Sequence, residues 1–236
     1  MYIINVMENA LNKSLFGKNN NYHHFEAIEG VFYNRCRKYV LSSTNGFAIE
    51  LERLPSDFRM TRFVRDPRDL LVSGYHYHKR GAEPWFRMKN PTNKYWEPIN
   101  ANVPKGQKKN QSYAELLTDL STEDGLMAEI EFRKFHLESY RNWPEDERIK
   151  IFKYEDILGN ELEVFDQMAD HLQFSSSKKR AILKYAKQYA YNPSKGKSRH
   201  IRNPTPSQWK EIFTEKVIAI FNENYFDILE RYNYET

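Results

Sequence analysis

The sequence predicts an α/β fold with a mainly parallel sheet, and three observations carry that expectation. Short apolar or aromatic runs alternate with segments of helical period along the chain. The run ending at Phe63-Val64 turns directly into a helix at Asp66-Pro67. A second strand-like run, Ile149 to Tyr154, comes after intervening helical segments, the order that a parallel sheet requires.

Taken in order, residues 2–16 read as an amphipathic helix, because Ile3, Ile4, Met7, Leu11 and Leu15 recur at helical spacing and Gly17 suits a stop. Lys18 to Asn21 is a polar loop, and 23–33 is ambiguous between strand and helix. Lys38 to Ser42 reads as a short strand, and Gly46 to Leu54 as a short helix ended by Pro55. A strand at 58–64 and a helix at 66–79 follow. Residues 80–111 carry Pro84, Pro91, Pro98 and Pro104 among polar residues. They form a long connection of the kind that serves as a lid, with Trp85, Phe86, Tyr95 and Trp96 available to line an acceptor site. Ser121-x-x-Asp124 opens a helix expected to run to about Trp143. After the strand at 149–154 come helices near 160–171 and 176–189, a basic loop at 190–207 and a last helix from about 208 to 231.

With 236 residues, the chain is expected to be a single domain, 1–236, with a sizeable core. A net charge of +4 suits an anionic ligand but falls short of a nucleic-acid-binding signature. No run of about 18 apolar residues predicts a membrane span, and Asn5, Glu8, Asn9 and Asn12 interrupt any signal-peptide core at the start. One cysteine, Cys36, allows no internal disulfide and fits a reducing, cytoplasmic setting. No His/Cys cluster has metal-ligand spacing, so no metal site is expected. Ser73 lacks the Gly-x-Ser-x-Gly turn of a Ser/His/Asp hydrolase.

The chemistry concentrates at two places. At the first, Asp66 is a natural N-cap and Pro67 suits the first helical position. Arg65 is left at the strand's carboxyl end, beside a helix start that favours anions. Ser73 lies four residues after Asp69, on the same helix face. A guanidinium and a hydroxyl so placed make a phosphate clamp; the alternative is a plain strand–turn–helix with a solvated arginine. At the second, Lys195, Lys197, Arg199, His200 and Arg202 crowd eight residues around Gly196, ahead of Trp209 and Phe213 on one helix face. A solvated basic loop is the competing account.

Arg65, Pro67, Asp69, Val72, Ser73 and Tyr75 together resemble the 3′-phosphate motif of the sulfotransferases that use 3′-phosphoadenosine 5′-phosphosulfate (PAPS). Arg202, Trp209 and Phe213 are similar to that family's C-terminal segment, although Pro204 and Ser207 stand where the family has glycines. Ile151 to Leu158, with Tyr154-Glu155-Asp156, is similar to a third family segment. The resemblance implies a three-layer, P-loop-NTPase-like fold, and sulfuryl transfer from PAPS to a hydroxyl or amine of a carbohydrate or small-molecule acceptor. It places the bound nucleotide at Arg65, Ser73 and Arg202, with Lys197 and Arg199 beside them. The phosphosulfate loop normal to the family's start is not among these residues, so the chain is expected to begin just past it. The histidine that one branch carries before the Arg/Ser motif is absent from Leu41 to Asn45. Glu26 is therefore the expected general base, with His24 or His23 as rivals. Two alternatives remain from the residues: a catalytically impaired PAP- or PAPS-binding protein, and a P-loop-like small-molecule kinase using acids such as Asp66, Asp69, Glu155 and Asp156 with Mg²⁺. Oligomeric state is not legible.

Overall fold

The computed structural model describes residues 2–13, 21–26, 28–33, 40–46, 48–99, 101–190 and 203–236. In chain order its elements are α1 (Tyr2–Leu11), β1 (Tyr22–Phe25), α2 (Ile28–Tyr33), β2 (Leu41–Thr44), β3 (Met60–Val64), α3 (Pro67–Lys79), α4 (Asn93–Trp96) and α5 (Tyr113–Asp119). Then come α6 (Thr122–Phe132), α7 (Lys134–Asn142), β4 (Ile149–Lys153), α8 (Tyr154–Ile157), α9 (Glu161–His171), α10 (Ser176–Tyr189), α11 (Trp209–Ile212) and α12 (Glu215–Arg231). They fall into two compact units, Met1–Val64 with Trp143–Gly196 and Arg65–Asn142 with Lys197–Thr236. Among the described residues no helix is long and apolar enough to cross a membrane.

The first unit holds all four strands. β1 pairs with β2 and β3 with β4, both parallel. The expected α/β architecture is therefore present, with its parallel pairing divided into two two-stranded sheets among the described residues. Parallel neighbours need a crossover, and α2 lies in the one from β1 to β2. The core is α1 against α9 and α10: Met7, Leu11, Phe165, Met168 and Ile182 are at most 1% exposed. Burying such a side chain contributes roughly 1.5–3 kcal/mol. Phe63 stacks on Phe152 across β3 and β4, and the Tyr2 hydroxyl donates to the Ala186 carbonyl at 3.0 Å, tying α1 to α10.

The second unit is helical. α3 buries Leu71, Val72 and Tyr75, and α12 buries Val217, Phe221 and Leu229. Phe86, Trp96, Tyr113 and Phe132 form an aromatic cluster, with Tyr113 and Phe132 stacked at 4.6 Å.

Several elements depart from the sequence reading for physical reasons. α1 ends at Leu11, and 14–20 lie outside the described residues. The helix expected at 46–54 is reduced to one 3₁₀ turn, Leu51–Arg53, because Leu54 is extended, as a residue before proline prefers. The helix expected from 121 to 143 breaks at Arg133 into α6 and α7. The last helix breaks at Phe213, which is extended, and Thr214 then caps α12 by accepting from the Val217 N–H. α5 was not anticipated, although Ser112 and Glu115 form a complete capping box at its start. The expected lid is only partly a lid. Phe86 and Trp96 are 4% and 0% exposed inside the aromatic cluster, whereas Trp85 and Tyr95 are 37% and 48% exposed. A ligand can meet the second pair but not the first.

Candidate functional site

β3 delivers the chain to Arg65, where the hydroxyl of Tyr140 on α7 brackets the backbone. It accepts from the Arg65 N–H at 3.1 Å and donates to the Arg65 carbonyl at 3.1 Å. Tyr140 is held in turn by the Tyr232 hydroxyl, which donates to its carbonyl at 2.9 Å. The backbone groups that a strand end leaves open are thus satisfied, and the Nε and Nη2 atoms of the Arg65 guanidinium are buried.

Asp66 caps α3 as anticipated, accepting from the Arg68 N–H at 2.9 Å, with Pro67 at the first helical position. The same carboxylate grips the Arg68 side chain through Nε at 3.0 Å and Nη2 at 2.8 Å. Both residues are buried, and the Arg68 guanidinium lies 3.7 Å over the Trp209 ring. The cap takes one first-turn N–H, that of Arg68. A phosphate would depend on Arg65 and on Ser73, which sits in the second turn of α3 and is partly exposed.

Asp69 is 1% exposed. Its two oxygens accept from the backbone N–H groups of Ser207, at 2.6 Å, and Trp209, at 3.0 Å. Burial pushes its carboxyl above the usual range, while those two N–H groups and the nearby Arg65 charge pull it back. Ser207 has a φ of 64°, a left-handed conformation that glycine adopts without strain. The glycine of the family pattern at this position therefore has a local reason. Arg202, Lys197 and Arg199 lie outside the described residues.

In the other unit, His24 on β1 stands opposite Ser43 on β2. Its Nδ1 lies 2.9 Å from Ser43 Oγ, which lies 2.7 Å from the Tyr22 hydroxyl. Burial lowers the His24 pKa from 6.5, only partly countered by Glu26, so the imidazole is neutral near pH 7. His23 and Glu26 are exposed. Sequence reasoning named His24 but missed Ser43, Tyr22 and Tyr140, whose roles come from strand register and helix packing.

Comparison with known proteins identifies a family for the sequence. The sulfotransferase domain matches residues 51–232, which include both Arg65–Ser73 and Trp209–Phe213. Among solved structures, mouse sulfotransferase SULT7A1 complexed with PAP is 16% identical, with a TM-score of 0.48, over 97% of this chain and 78% of that one. Retinol dehydratase in complex with androsterone and inactive cofactor PAP is 20% identical, with a TM-score of 0.39, over 81% of this chain and 52% of that one. No curated protein matches the chain. The family match spans most of the sequence and both of its motif segments, so the chain belongs to the sulfotransferase domain family.

Proposed function

We propose that the chain is a single-domain PAPS-dependent sulfotransferase acting on a hydroxyl or amine of a carbohydrate or small-molecule acceptor. The observation that carries this reading is the Arg65–Ser73 turn inside the family match. The motif's residue types support a site for the nucleotide's 3′-phosphate. Both acids of the motif have internal partners, Asp66 in Arg68 and Asp69 in backbone N–H groups, and the motif also carries a guanidinium and a hydroxyl, the donor types that bind a phosphate. Arg65 and Ser73 would hold that phosphate. Arg202, Lys197 and Arg199 are proposed to add to it from the basic segment. PAPS, when bound, supplies the activated sulfuryl group. A single cysteine is compatible with a cytoplasmic setting.

For the base we favour His24 over Glu26. His24 is neutral and oriented by Ser43, whereas Glu26 is exposed. The β2 strand has no histidine of its own, yet its partner strand brings one alongside Ser43. In an assay with PAPS and an alcohol acceptor, His24→Gln is expected to lower kcat by about 10²–10⁴-fold and Glu26→Gln to leave most activity. The reverse ranking would return the role to Glu26.

The nucleotide class is tested by calorimetric titration with adenosine 3′,5′-bisphosphate (PAP), with ATP and Mg²⁺ as the comparison. A PAP dissociation constant on the order of micromolar, with ATP much weaker, supports the proposal. Preference for ATP with Mg²⁺ would favour a kinase. PAP binding without turnover would leave a nucleotide-holding protein.

A further inference from the structure

We infer that Asp69 is a positioning residue of the nucleotide site: by holding the backbone of Ser207 and Trp209, it sets a wall of that site along the Ser73 face of α3. The inference rests on the nucleotide reading above.

Asp69 and Ser73 are four residues apart on α3 and so share a helix face. The backbone bonded to Asp69 therefore borders the face that carries the Ser73 hydroxyl. The attachment is double, since Trp209 is also held through its ring by Arg68, which Asp66 fixes. A buried carboxylate is costly unless its oxygens are bonded, and here two loop N–H groups, 138 and 140 residues away in sequence, supply the bonds. In the same turn Ser207 is kept in a left-handed conformation, which persists when surrounding contacts over-determine it. Without Asp69, the turn would relax and the wall would move.

The sign of one measurement separates this role from others. Asp69→Asn removes a negative charge close to an anion site, which by Coulomb's law alone strengthens anion binding. It also replaces one acceptor oxygen with an NH₂ that faces an N–H donor. Positioning predicts that PAP binding, measured calorimetrically well below the melting temperature, weakens by about tenfold or more. In a Ser73→Ala background the penalty should shrink, because the wall then borders a face that has lost its contact. Tighter binding, unchanged affinity with a lowered melting temperature, or the same penalty in both backgrounds would each overturn the inference. Should Asp69→Asn not fold, Asp69→Glu keeps the charge and both acceptor oxygens but moves them by one methylene away from the Ser207 and Trp209 N–H groups, and is read by the same cycle. A wild-type chain that fails to bind PAP would overturn the nucleotide reading itself, and this inference with it.

Discussion

Replacing Glu129 by alanine is expected to destabilise the protein by about 3–5 kcal/mol, the cost of breaking a buried charge cluster by removing one partner. Glu129 is fully buried on α6. It accepts from the Tyr113 hydroxyl at 2.9 Å, from His78 Nδ1 at 2.8 Å and from Arg133 Nε at 2.5 Å, so one carboxylate ties together α3, α5 and α6. The helix break at Arg133 lies at this cluster. Gly74 explains how the cluster reaches α3: a Cβ there would collide with Glu129 Oε1 and the Arg133 guanidinium. Alanine at 129 would leave an arginine, a phenol and an imidazole short of their acceptor. Glu129→Gln keeps the shape and one acceptor, so it should cost less. Urea unfolding of the two variants measures the difference, and a Glu129→Ala loss below about 1 kcal/mol would show that water replaces the carboxylate.

The same cluster sets a direction for pH dependence. Burial lowers the His78 pKa from 6.5, although Glu129 opposes the shift. Burial also pushes the Glu129 carboxyl up, but His78 and Arg133 more than reverse this, leaving it below its usual 4.5. With the imidazole neutral, Arg133 is the charge that keeps Glu129 ionised and His78 donates through Nδ1–H. Both groups bind protons more readily unfolded than folded. Their contribution is therefore complete above pH 6.5 and declines as pH falls, first for His78 and then, below 4.5, for Glu129. Stability that rose on acidification through this window would contradict the assignment.

What could be read in the sequence was what neighbouring residues decide. Asp66-Pro67 marked the start of α3 correctly, and the helices expected near 160–171 and 176–189 are α9 and α10. What could not be read was set by partners remote in the chain. Glu129, in the run Ala128-Glu129-Ile130-Glu131, looks like a solvated acid until α3 brings His78 to it from 51 residues away. Asp69 belonged to the recognised motif, yet its partners lie beyond residue 200. His24 and Ser43 meet because two parallel strands pair in one register, which no local pattern specified. Phe86 and Trp96 looked like lid aromatics because prolines surround them, whereas packing against Tyr113 and Phe132 makes them core. The basic residues Lys197, Arg199 and Arg202 lie outside the described residues.

Arg65→Ala should have the largest effect on nucleotide affinity, raising the PAP dissociation constant by about 10²–10⁴-fold. A guanidinium meets a phosphate through paired, charge-assisted hydrogen bonds, each contributing roughly 1.5–3 kcal/mol, and tenfold in affinity corresponds to about 1.4 kcal/mol. The truncation should leave the turn in place, because Tyr140 holds the backbone of residue 65 through both its N–H and its carbonyl, and Asp66 caps α3 with its own side chain. It also takes away a positive charge that lowers the Asp69 carboxyl, so that acid is held further above its usual range. Ser73→Ala removes one hydroxyl donor and should cost about tenfold. Adenosine 5′-monophosphate, which has no 3′-phosphate, isolates the contact: the Arg65→Ala penalty should be large for PAP and nearly absent for the monophosphate. Equal penalties for both nucleotides would mean that Arg65 shapes the site without holding the 3′-phosphate, and no penalty for either would remove it from the nucleotide site.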